Sequence, residues 1–186
     1  MGRVKALLPV RNGGPTFLRQ LSASLLQGGA SDVIVVGRPD DGALEVEVAL
    51  LGDRVRLVVN PHAERGQLSS ILIGLNAADR PGVRAVLVGP VDAPLVRGDT
   101  VRALLEAFRA CEPPVVRPVY RGRHGHPVIF GRQVFDALRH ADPAMGAKAV
   151  VRGHAGDAIE LEVDDPAVLD DVDGPEEYAR LLAREQ

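Results

Sequence analysis

Short apolar runs rich in β-branched residues alternate along this chain with segments whose apolar residues recur every three or four positions. The runs are bounded by Gly, Asn or Pro and predict strands at 33–37, 55–59 and 85–88. They are almost continuously apolar, which is typical of strands covered on both faces. The other segments predict helices at 15–28, 67–78 and 99–110. Because strand–helix alternation favours right-handed crossovers, the pattern predicts an α/β fold with a doubly wound, mainly parallel sheet.

The region between residues 113 and 132 departs from this alternation. Apolar runs at 115–119 and 127–130 flank a loop of glycine, arginine and histidine, which predicts a small antiparallel hairpin. The C-terminal third predicts a short helix, an edge strand and a closing helix, at 146–153, 159–163 and 175–184. No repeat, low-complexity tract or linker interrupts the pattern. We therefore predict a single domain over residues 1–186.

Composition narrows the classes of function. A formal net charge of −3 over 186 residues offers no general attraction for nucleic acid or an anionic membrane. No uncharged apolar run approaches the ~20 residues of a membrane span, and the N-terminus lacks the apolar core of a signal peptide. The one cysteine, Cys111, excludes an internal disulfide framework and is compatible with a reducing compartment. We predict a cytoplasmic protein that binds neither nucleic acid nor membrane.

An acidic residue follows the predicted strand at 85–88. Ligands of open parallel sheets bind beyond the carboxyl ends of the strands, where Asp92 lies between Pro90 and Pro94. Magnesium prefers one or two carboxylates together with substrate phosphates. Asp92 is therefore a candidate Mg²⁺ ligand, although the same residue could simply cap a turn or the next helix.

A second group of polar residues follows the predicted strand at 55–59. Asn60, Gly66, Ser69 and Ser70 lie where a glycine turn leads into a helix that begins with hydroxyl side chains. Exposed N–H groups and the positive end of the helix dipole suit an anionic or polar ligand. An ordinary helix start without a ligand fits these residues as well.

Five aspartates cluster near the C-terminus, before Gly174. Asp171 and Asp173 alternate with an apolar residue, which would place both carboxylates on one side of an extended segment. Convergence with Asp92 would then form a divalent-cation site. An acidic run of this kind is also typical of a solvated loop.

The predicted hairpin carries a basic rim that includes Arg117, Arg121, Arg123 and His124. Guanidinium groups on this rim could receive a phosphate, and a solvated charged loop fits equally well. His124 and His126 are two residues apart, but no third ligand stands at a recognisable spacing. The pattern therefore argues against a zinc site.

Taken in order, six segments resemble the MobA-like NTP transferases, the molybdenum-cofactor nucleotidyltransferases. The first is the N-terminal run in which Lys5 is followed, after one residue, by Leu7, Leu8 and Pro9. The others lie further along the chain: Asn60-Pro61 with Gly66, Ser69, Ser70 and Gly74; Asp92-Ala93-Pro94; 122–130; Gly146-Ala147-Lys148; and 169–178. The 122–130 segment is most similar to the molybdopterin cytidylyltransferase branch. The similarity covers essentially the whole chain.

This resemblance implies a nucleotide-diphospho-sugar-transferase-like, Rossmann-like fold and a Mg²⁺-dependent nucleotidyl transfer, with CTP as the favoured donor. The acceptor would be a phosphorylated small molecule such as molybdopterin, and a molybdoenzyme or a chaperone would be the protein partner. Lys5 and Asp92 would be catalytic. The family roles then fall on three sets of residues: Asp92, Asp173 and Asp171 for the metal; Asn60, Gly66, Ser69 and Ser70 for the nucleotide; and Arg121, His124 and His126 for the acceptor.

The sequence departs from the family pattern at its N-terminus. The family's first strand, which is central in its sheet, and the glycine-rich loop that wraps the triphosphate have no counterpart among these residues. A start codon assigned too late and a shortened paralogue both explain this. A third interpretation places residues 4–10 in the strand position with 11–14 as the loop, but Pro9 lacks the N–H that a central strand needs.

Two further functions stay open. One is nucleotidyl transfer to a sugar phosphate or to another phosphorylated small molecule. The other is a non-catalytic protein that binds a nucleotide or a protein partner, since the loop that would supply most phosphate contacts is missing.

Overall fold

The computed structural model describes residues 4–184. Seven strands and seven α-helices alternate through most of this range. The strands are β1 Val33–Gly37, β2 Val55–Val59, β3 Ala85–Val88, β4 Val115–Tyr120, β5 Arg123–His124, β6 Val128–Gly131 and β7 Ile159–Glu162. The helices are α1 Phe17–Gly28, α2 Gly42–Ala49, α3 Gln67–Ala78, α4 Gly98–Cys111, α5 Phe135–Arg139, α6 Ala147–Gly153 and α7 Pro175–Arg184. No helix within 4–184 is long and apolar enough to cross a membrane.

The described strands form two separate sheets. One is the parallel pair β1–β2, and the other has the order β3-β6-β4-β5, with β7 parallel to β4. The predicted α/β class is confirmed. The antiparallel part extends beyond one hairpin, because the chain returns from β4 into the position between β3 and β4, where β6 runs antiparallel to both neighbours.

The N-terminal segment does not supply a central strand. Lys5–Leu7 forms one turn of 3-10 helix, and Pro9 makes only an isolated bridge with Thr16. The Pro9 carbonyl accepts a hydrogen bond from the Tyr178 hydroxyl at 3.0 Å, which ties this segment to α7. The interpretation that placed residues 4–10 in the strand position is therefore wrong, since this segment forms a 3-10 turn and one isolated bridge and no ladder with a strand.

Helices α1 and α4 pack against each other over the sheets. The apolar residues of α1 recur at helical spacing, the Thr16 side chain caps its first turn, and Gly29 ends it in the left-handed conformation. A Cβ on Gly28 would lie 2.4 Å from the Val101 side chain of α4, so the two helices approach each other at a position without a side chain. The sequence did not predict α2, because its Glu-Val-Glu-Val run alternates like a strand, yet Asp41 caps it as a helix.

Candidate active site

The loop after β3 and the extended segment before α7 lie side by side. The Val172 N–H donates to the backbone carbonyl of Asp92 at 3.0 Å, and Val172 itself is buried. Because side chains alternate along an extended segment, the burial of Val172 turns Asp171 and Asp173 away from the core. Both aspartates therefore flank the loop that carries Asp92.

Lys5 joins two of the predicted site residues. Its ammonium nitrogen lies 3.4 Å from Oδ2 of Asp92 and 3.2 Å from Oδ1 of Asp173. The side chains of Lys5 and Asp92 are partly buried, whereas that of Asp173 is 77% exposed. The structure thus brings the predicted catalytic lysine and two predicted metal ligands into one cluster, although 168 residues separate Lys5 from Asp173.

Asp171 experiences the negative charge of this cluster. Partial loss of hydration raises the pKa of the Asp171 carboxyl above its ordinary value, and the charges of Asp92 and Asp173 raise it further against the opposing effects of His126 and Lys5. A carboxyl whose pKa is raised by two neighbouring carboxylates lies in a field that attracts cations. Asp171 therefore belongs to the same site as Asp92 and Asp173.

His126 lies beside these carboxylates. Burial lowers the pKa of its imidazole, while Asp171 and Asp92 oppose that effect and Lys148 adds to it. Its buried Nδ1 has no hydrogen-bond partner within residues 4–184. His126 therefore places a buried imidazole nitrogen without a hydrogen-bond partner beside the carboxylates.

The hairpin reaches the site by a close backbone contact. The His126 N–H donates to the Val168 carbonyl at 2.8 Å, and a Cβ on Gly125 would lie only 2.3 Å from the same carbonyl oxygen. Glycine at 125 therefore allows the approach that places His126 next to Asp171.

We predict that Gly125→Ala destabilises the protein by about 1–3 kcal/mol, because the new methyl group must displace the backbone at Val168. Urea unfolding measures this change. The matched control is Gly156→Ala, where nothing lies within 4 Å of the added Cβ. Equal stability of the two variants would contradict the close approach of Gly125 to the Val168 carbonyl.

Three other residues of the hairpin rim have partners of their own. The His124 ring makes a 3.0 Å contact with Glu160, and Arg117 hydrogen-bonds to the same carboxylate. These two partners, Arg117 first, lower the pKa of Glu160. The guanidinium of Arg121 lies over the Tyr120 ring at 5.1 Å. His124 and Arg117 therefore contact a carboxylate of β7, whereas His126 lies beside Asp171 and Asp92.

Glu160 was not predicted from the sequence as a partner of the basic side chains. A signal was present in the Ile-Glu-Leu-Glu alternation of β7, whose glutamates are exposed. Only the parallel register, in which Arg117 faces Glu160 and Val119 faces Glu162, reveals which basic side chain they meet.

The predicted nucleotide-side residues form a hydrogen-bonded cluster at the start of α3. Buried Asn60 donates to the hydroxyls of Ser69 at 2.9 Å and Ser70 at 3.0 Å, and its carbonyl oxygen accepts from the His62 N–H. Gly66 has φ +91°, a conformation that glycine adopts without strain. The Asn60 amide thus holds the loop in shape, and the helix start, with Gly66 and the exposed N–H groups near it, faces outward.

Within residues 4–184, no three Asp, Glu, His or Cys side chains surround a common metal position. The Lys5 ammonium lies between Asp92 and Asp173 instead. Two carboxylates already balanced by one cation nevertheless fit an ion that takes its other ligands from substrate phosphates and water.

A family model for the MobA-like NTP transferase domain matches residues 1–159. The chain belongs to the MobA-like NTP transferase family. This confirms the family resemblance, and with it the nucleotide-diphospho-sugar-transferase fold and membership of a nucleotidyltransferase family.

Among curated proteins, this MobA-like chain is 40% identical over 119 residues to the 2-C-methyl-D-erythritol 4-phosphate cytidylyltransferase of Streptomyces avermitilis. That match covers 62% of the chain and 46% of the relative, so the chain spans about half the length of that protein. The chain is also 28% identical over 190 residues to the purine catabolism protein PucB of Bacillus subtilis strain 168, covering 96% of the chain and 87% of PucB.

Among solved structures, the fold is similar to Rv0371c of Mycobacterium tuberculosis H37Rv, with a TM-score of 0.81 and 27% identity. The match covers 98% of this chain and 91% of that one. A complex of Rv0371c with manganese superposes with a TM-score of 0.76 at 30% identity, over 98% and 93% of the two chains.

Proposed function

We propose that this chain transfers a nucleoside monophosphate from a nucleoside triphosphate, with CTP favoured, to a phosphorylated small molecule. The observation that carries the proposal is the contact of Lys5 with both Asp92 and Asp173, beside Asp171 and His126. A lysine and several carboxylates at the carboxyl end of a strand suit the binding of a triphosphate with its metal ion. Family membership supports the same reaction class.

We infer that Asp92 and Asp173 hold a divalent cation, proposed as Mg²⁺, with Asp171 as a further ligand. The two carboxylates fit the ion because both reach one common position, the one at which the Lys5 ammonium lies, and Mg²⁺ prefers one or two carboxylates together with substrate phosphates. The manganese complex of Rv0371c supports a divalent cation in this family. When bound, such an ion neutralises charge on the phosphate oxygens.

In the reaction, an oxygen of the acceptor phosphate attacks the α-phosphorus, and the bond from that phosphorus to the bridging oxygen breaks. Pyrophosphate leaves with the electron pair. Lys5 would lie along the triphosphate and balance charge that develops on the leaving group. This role suits a side chain that is only partly buried and already lies against two carboxylates.

The remaining predicted residues divide between the two substrates. Asn60, Ser69 and Ser70, with Gly66, would shape the wall near the base and ribose through their hydrogen-bonded loop. His126 would face the acceptor from within the carboxylate cluster. Arg121 and His124 would meet it from the hairpin rim.

We propose molybdopterin as the acceptor because the 122–130 segment resembles the cytidylyltransferase branch. The specific alternative is a sugar-like phosphate, which the two Streptomyces 2-C-methyl-D-erythritol 4-phosphate cytidylyltransferases favour, at 40% and 37% identity. A molybdoenzyme or chaperone partner stays a prediction tied to the first acceptor.

The deciding experiment incubates the chain with each of the four nucleoside triphosphates labelled at the α-phosphate, with Mg²⁺ or Mn²⁺, and with either acceptor. We expect label in a new product and release of pyrophosphate, with CTP preferred. Metal-dependent binding of CTP without product from any acceptor of this class would favour the non-catalytic alternative. If the chain neither binds a nucleoside triphosphate nor forms product, the proposal is rejected.

We predict that Arg121→Ala raises the apparent KM for the phosphorylated acceptor about ten- to hundredfold and leaves the KM for CTP nearly unchanged. The lost interaction is a charge-assisted hydrogen bond of roughly 1.5–3 kcal/mol. The control is Arg102→Ala on α4, whose guanidinium pairs with exposed Asp99 at 2.7 Å. If the KM for the acceptor is unchanged in Arg121→Ala, the hairpin rim is a solvated charged loop that does not bind the acceptor.

A further inference from the structure

The chain has two lysines, Lys5 and Lys148, among its 22 lysine and arginine residues. Lys5 contacts Asp92 and Asp173 at the proposed active site. Lys148 is the second residue of the short helix α6. The position of this helix therefore decides which groups the charge of Lys148 can reach.

Helix α6 runs from the carboxyl edge of the sheet towards its amino edge. It leads into β7 through a tight turn, closed by a hydrogen bond from the Asp157 N–H to the His154 carbonyl at 3.0 Å. Strand β7 runs parallel to β4 and starts opposite Val116, near the beginning of β4. Because the turn is short, α6 ends near the amino ends of these strands and begins near their carboxyl ends.

Apolar packing holds the start of α6 beside the loops of the active site. Ala147, the first residue of α6, and Val88 both pack against the apolar cluster that contains buried Val128. Val88 is the last residue of β3, from which the loop with Asp92 begins. Val128 is the first residue of β6 and follows closely after His126. The second residue of α6 therefore lies at the same edge as both loops.

The charge of Lys148 acts on His126. Burial lowers the pKa of the His126 imidazole and the charge of Lys148 lowers it further, whereas Asp171 and Asp92 raise it. Lys148 and the two carboxylates thus influence one imidazole, whose buried Nδ1 has no hydrogen-bond partner within residues 4–184. Packing and electrostatics together assign Lys148 to the part of the site that contains His126.

The side chain of Lys148 is exposed, and its ammonium forms no ion pair with a carboxylate of residues 4–184. The other basic groups near the site are partly balanced. Lys5 contacts two aspartates, and Arg117 and His124 share the carboxylate of Glu160. Lys148 therefore contributes a positive charge that no carboxylate of the described chain offsets by direct contact.

Nucleotidyl transfer requires such a charge on the acceptor side. A phosphate monoester carries about −1.5 to −2 charges near pH 7, and the α-phosphate that it attacks is negative as well. Lys5 and the divalent cation are assigned to the triphosphate. A lysine ammonium is a compact charge with three donors, which suits the oxygens of a second phosphate.

We propose that Lys148 binds the phosphate group of the acceptor and holds it beside His126 and the carboxylate cluster. This role rests on nucleotidyl transfer as the proposed function and adds a residue to its acceptor site. Lys148 forms and breaks no bond in the reaction. It neutralises the attacking phosphate, so that a phosphate oxygen can approach the α-phosphorus of the nucleotide against the repulsion of two anions.

Because the chain has only two lysines, acetylation followed by mass spectrometry reports on each of them separately. One probe is methyl phosphate, which carries the reacting group of the acceptor and little else. The other is a CTP analogue with a methylene group between the α- and β-phosphorus, which cannot be cleaved there. Mg²⁺ is present throughout, and sodium chloride at the same ionic strength is the control for screening.

At about ten times its Kd, methyl phosphate should slow the acetylation of Lys148 about tenfold and that of Lys5 less than about twofold. The CTP analogue should protect Lys5 and leave Lys148 nearly unchanged. The two lysines thus test the acceptor side and the nucleotide side of the site in one experiment, without any turnover.

Kinetics of variants test the same role. Lys148→Met removes the ammonium and should raise the KM for the acceptor that forms product about ten- to hundredfold, with kcat and the KM for CTP nearly unchanged. Lys148→Arg keeps the charge and should restore most of the acceptor affinity. The matched control is Arg152→Met, which removes an exposed cation one turn later in α6 and should leave all three constants unchanged.

Two results would overturn the proposal. One is acetylation of Lys148 that methyl phosphate slows no more than sodium chloride does. The other is an equal KM for the acceptor in Lys148→Met and Arg152→Met. In either case a chain that forms labelled product is still a nucleotidyltransferase. Conversely, protection of Lys148 by methyl phosphate in a chain that forms no product would reject the proposed reaction and support Lys148 as a phosphate-binding residue.

Discussion

Replacing Asp92 with asparagine is expected to lower kcat of nucleotidyl transfer about a thousandfold. The amide keeps the size of the carboxylate but removes the charge that lies 3.4 Å from Lys5 and that we assign to the metal site. Removing one preorganised electrostatic group from a transition-state site commonly costs a factor of 10² to 10³, and loss of a metal ligand adds to this. Steady-state kinetics with labelled CTP under saturating Mg²⁺ measures the change.

The matched control is Asp99→Asn, since Asp99 is an 85% exposed carboxylate that also contacts one basic side chain, Arg102. It should retain the parent kcat. The Asp92 variant should keep its fold, because the hydrogen bond from Val172 goes to the backbone carbonyl of residue 92 and not to the side chain. A folded Asp92→Asn protein with kcat within about threefold of the parent would remove Asp92 from the catalytic site.

Asp165→Ala is expected to lower the free energy of unfolding by about 3 kcal/mol or more. The Asp165 side chain is only 3% exposed, and its Oδ2 accepts from the Arg97 N–H at 3.0 Å and the Thr100 hydroxyl at 2.7 Å. These donors lie at the start of α4, which has no capping side chain of its own. Alanine would leave them unpaired in a buried place, where each lost partner is costly.

Guanidinium unfolding of the two variants Asp165→Ala and Asp164→Ala would check this prediction. Asp164 is the neighbouring aspartate and is exposed, so its replacement should change stability by less than about 0.5 kcal/mol. Asp165→Asn should fall between them, because the amide keeps one acceptor oxygen. Equal stability of the two alanine variants would mean that α4 is not capped by the C-terminal segment.

Among the aspartates near the C-terminus, some roles could be predicted from the sequence and one could not. The alternation around Val172 identified Asp171 and Asp173 as neighbours on one side of an extended segment, and the structure places both beside Asp92. The same run concealed the different role of Asp165, whose partners Arg97 and Thr100 lie more than 60 residues away in the chain. Local pattern cannot distinguish a buried cap from a solvated carboxylate when the donors come from another element.

Lys5 was predicted as a site residue only from the family resemblance. Composition and periodicity alone do not connect this residue with a carboxylate at position 173, because 168 residues separate the two in the chain and only the tertiary fold brings them into contact. The basic hairpin shows the opposite case. Its charge was visible in the sequence, but the partner of Arg117 and His124 depended on the register of β7.

By itself, the sequence determined where most strands and helices lie, because apolar periodicity and capping residues act over a few neighbours along the chain. It also determined the α/β class and the family. The tertiary structure alone decided that β6 lies between β3 and β4, that Gly125 lets the hairpin touch Val168, and that an open space separates β1 from β3. Each of these depends on backbone groups that meet across long sequence separations, where the chain carries no local signal.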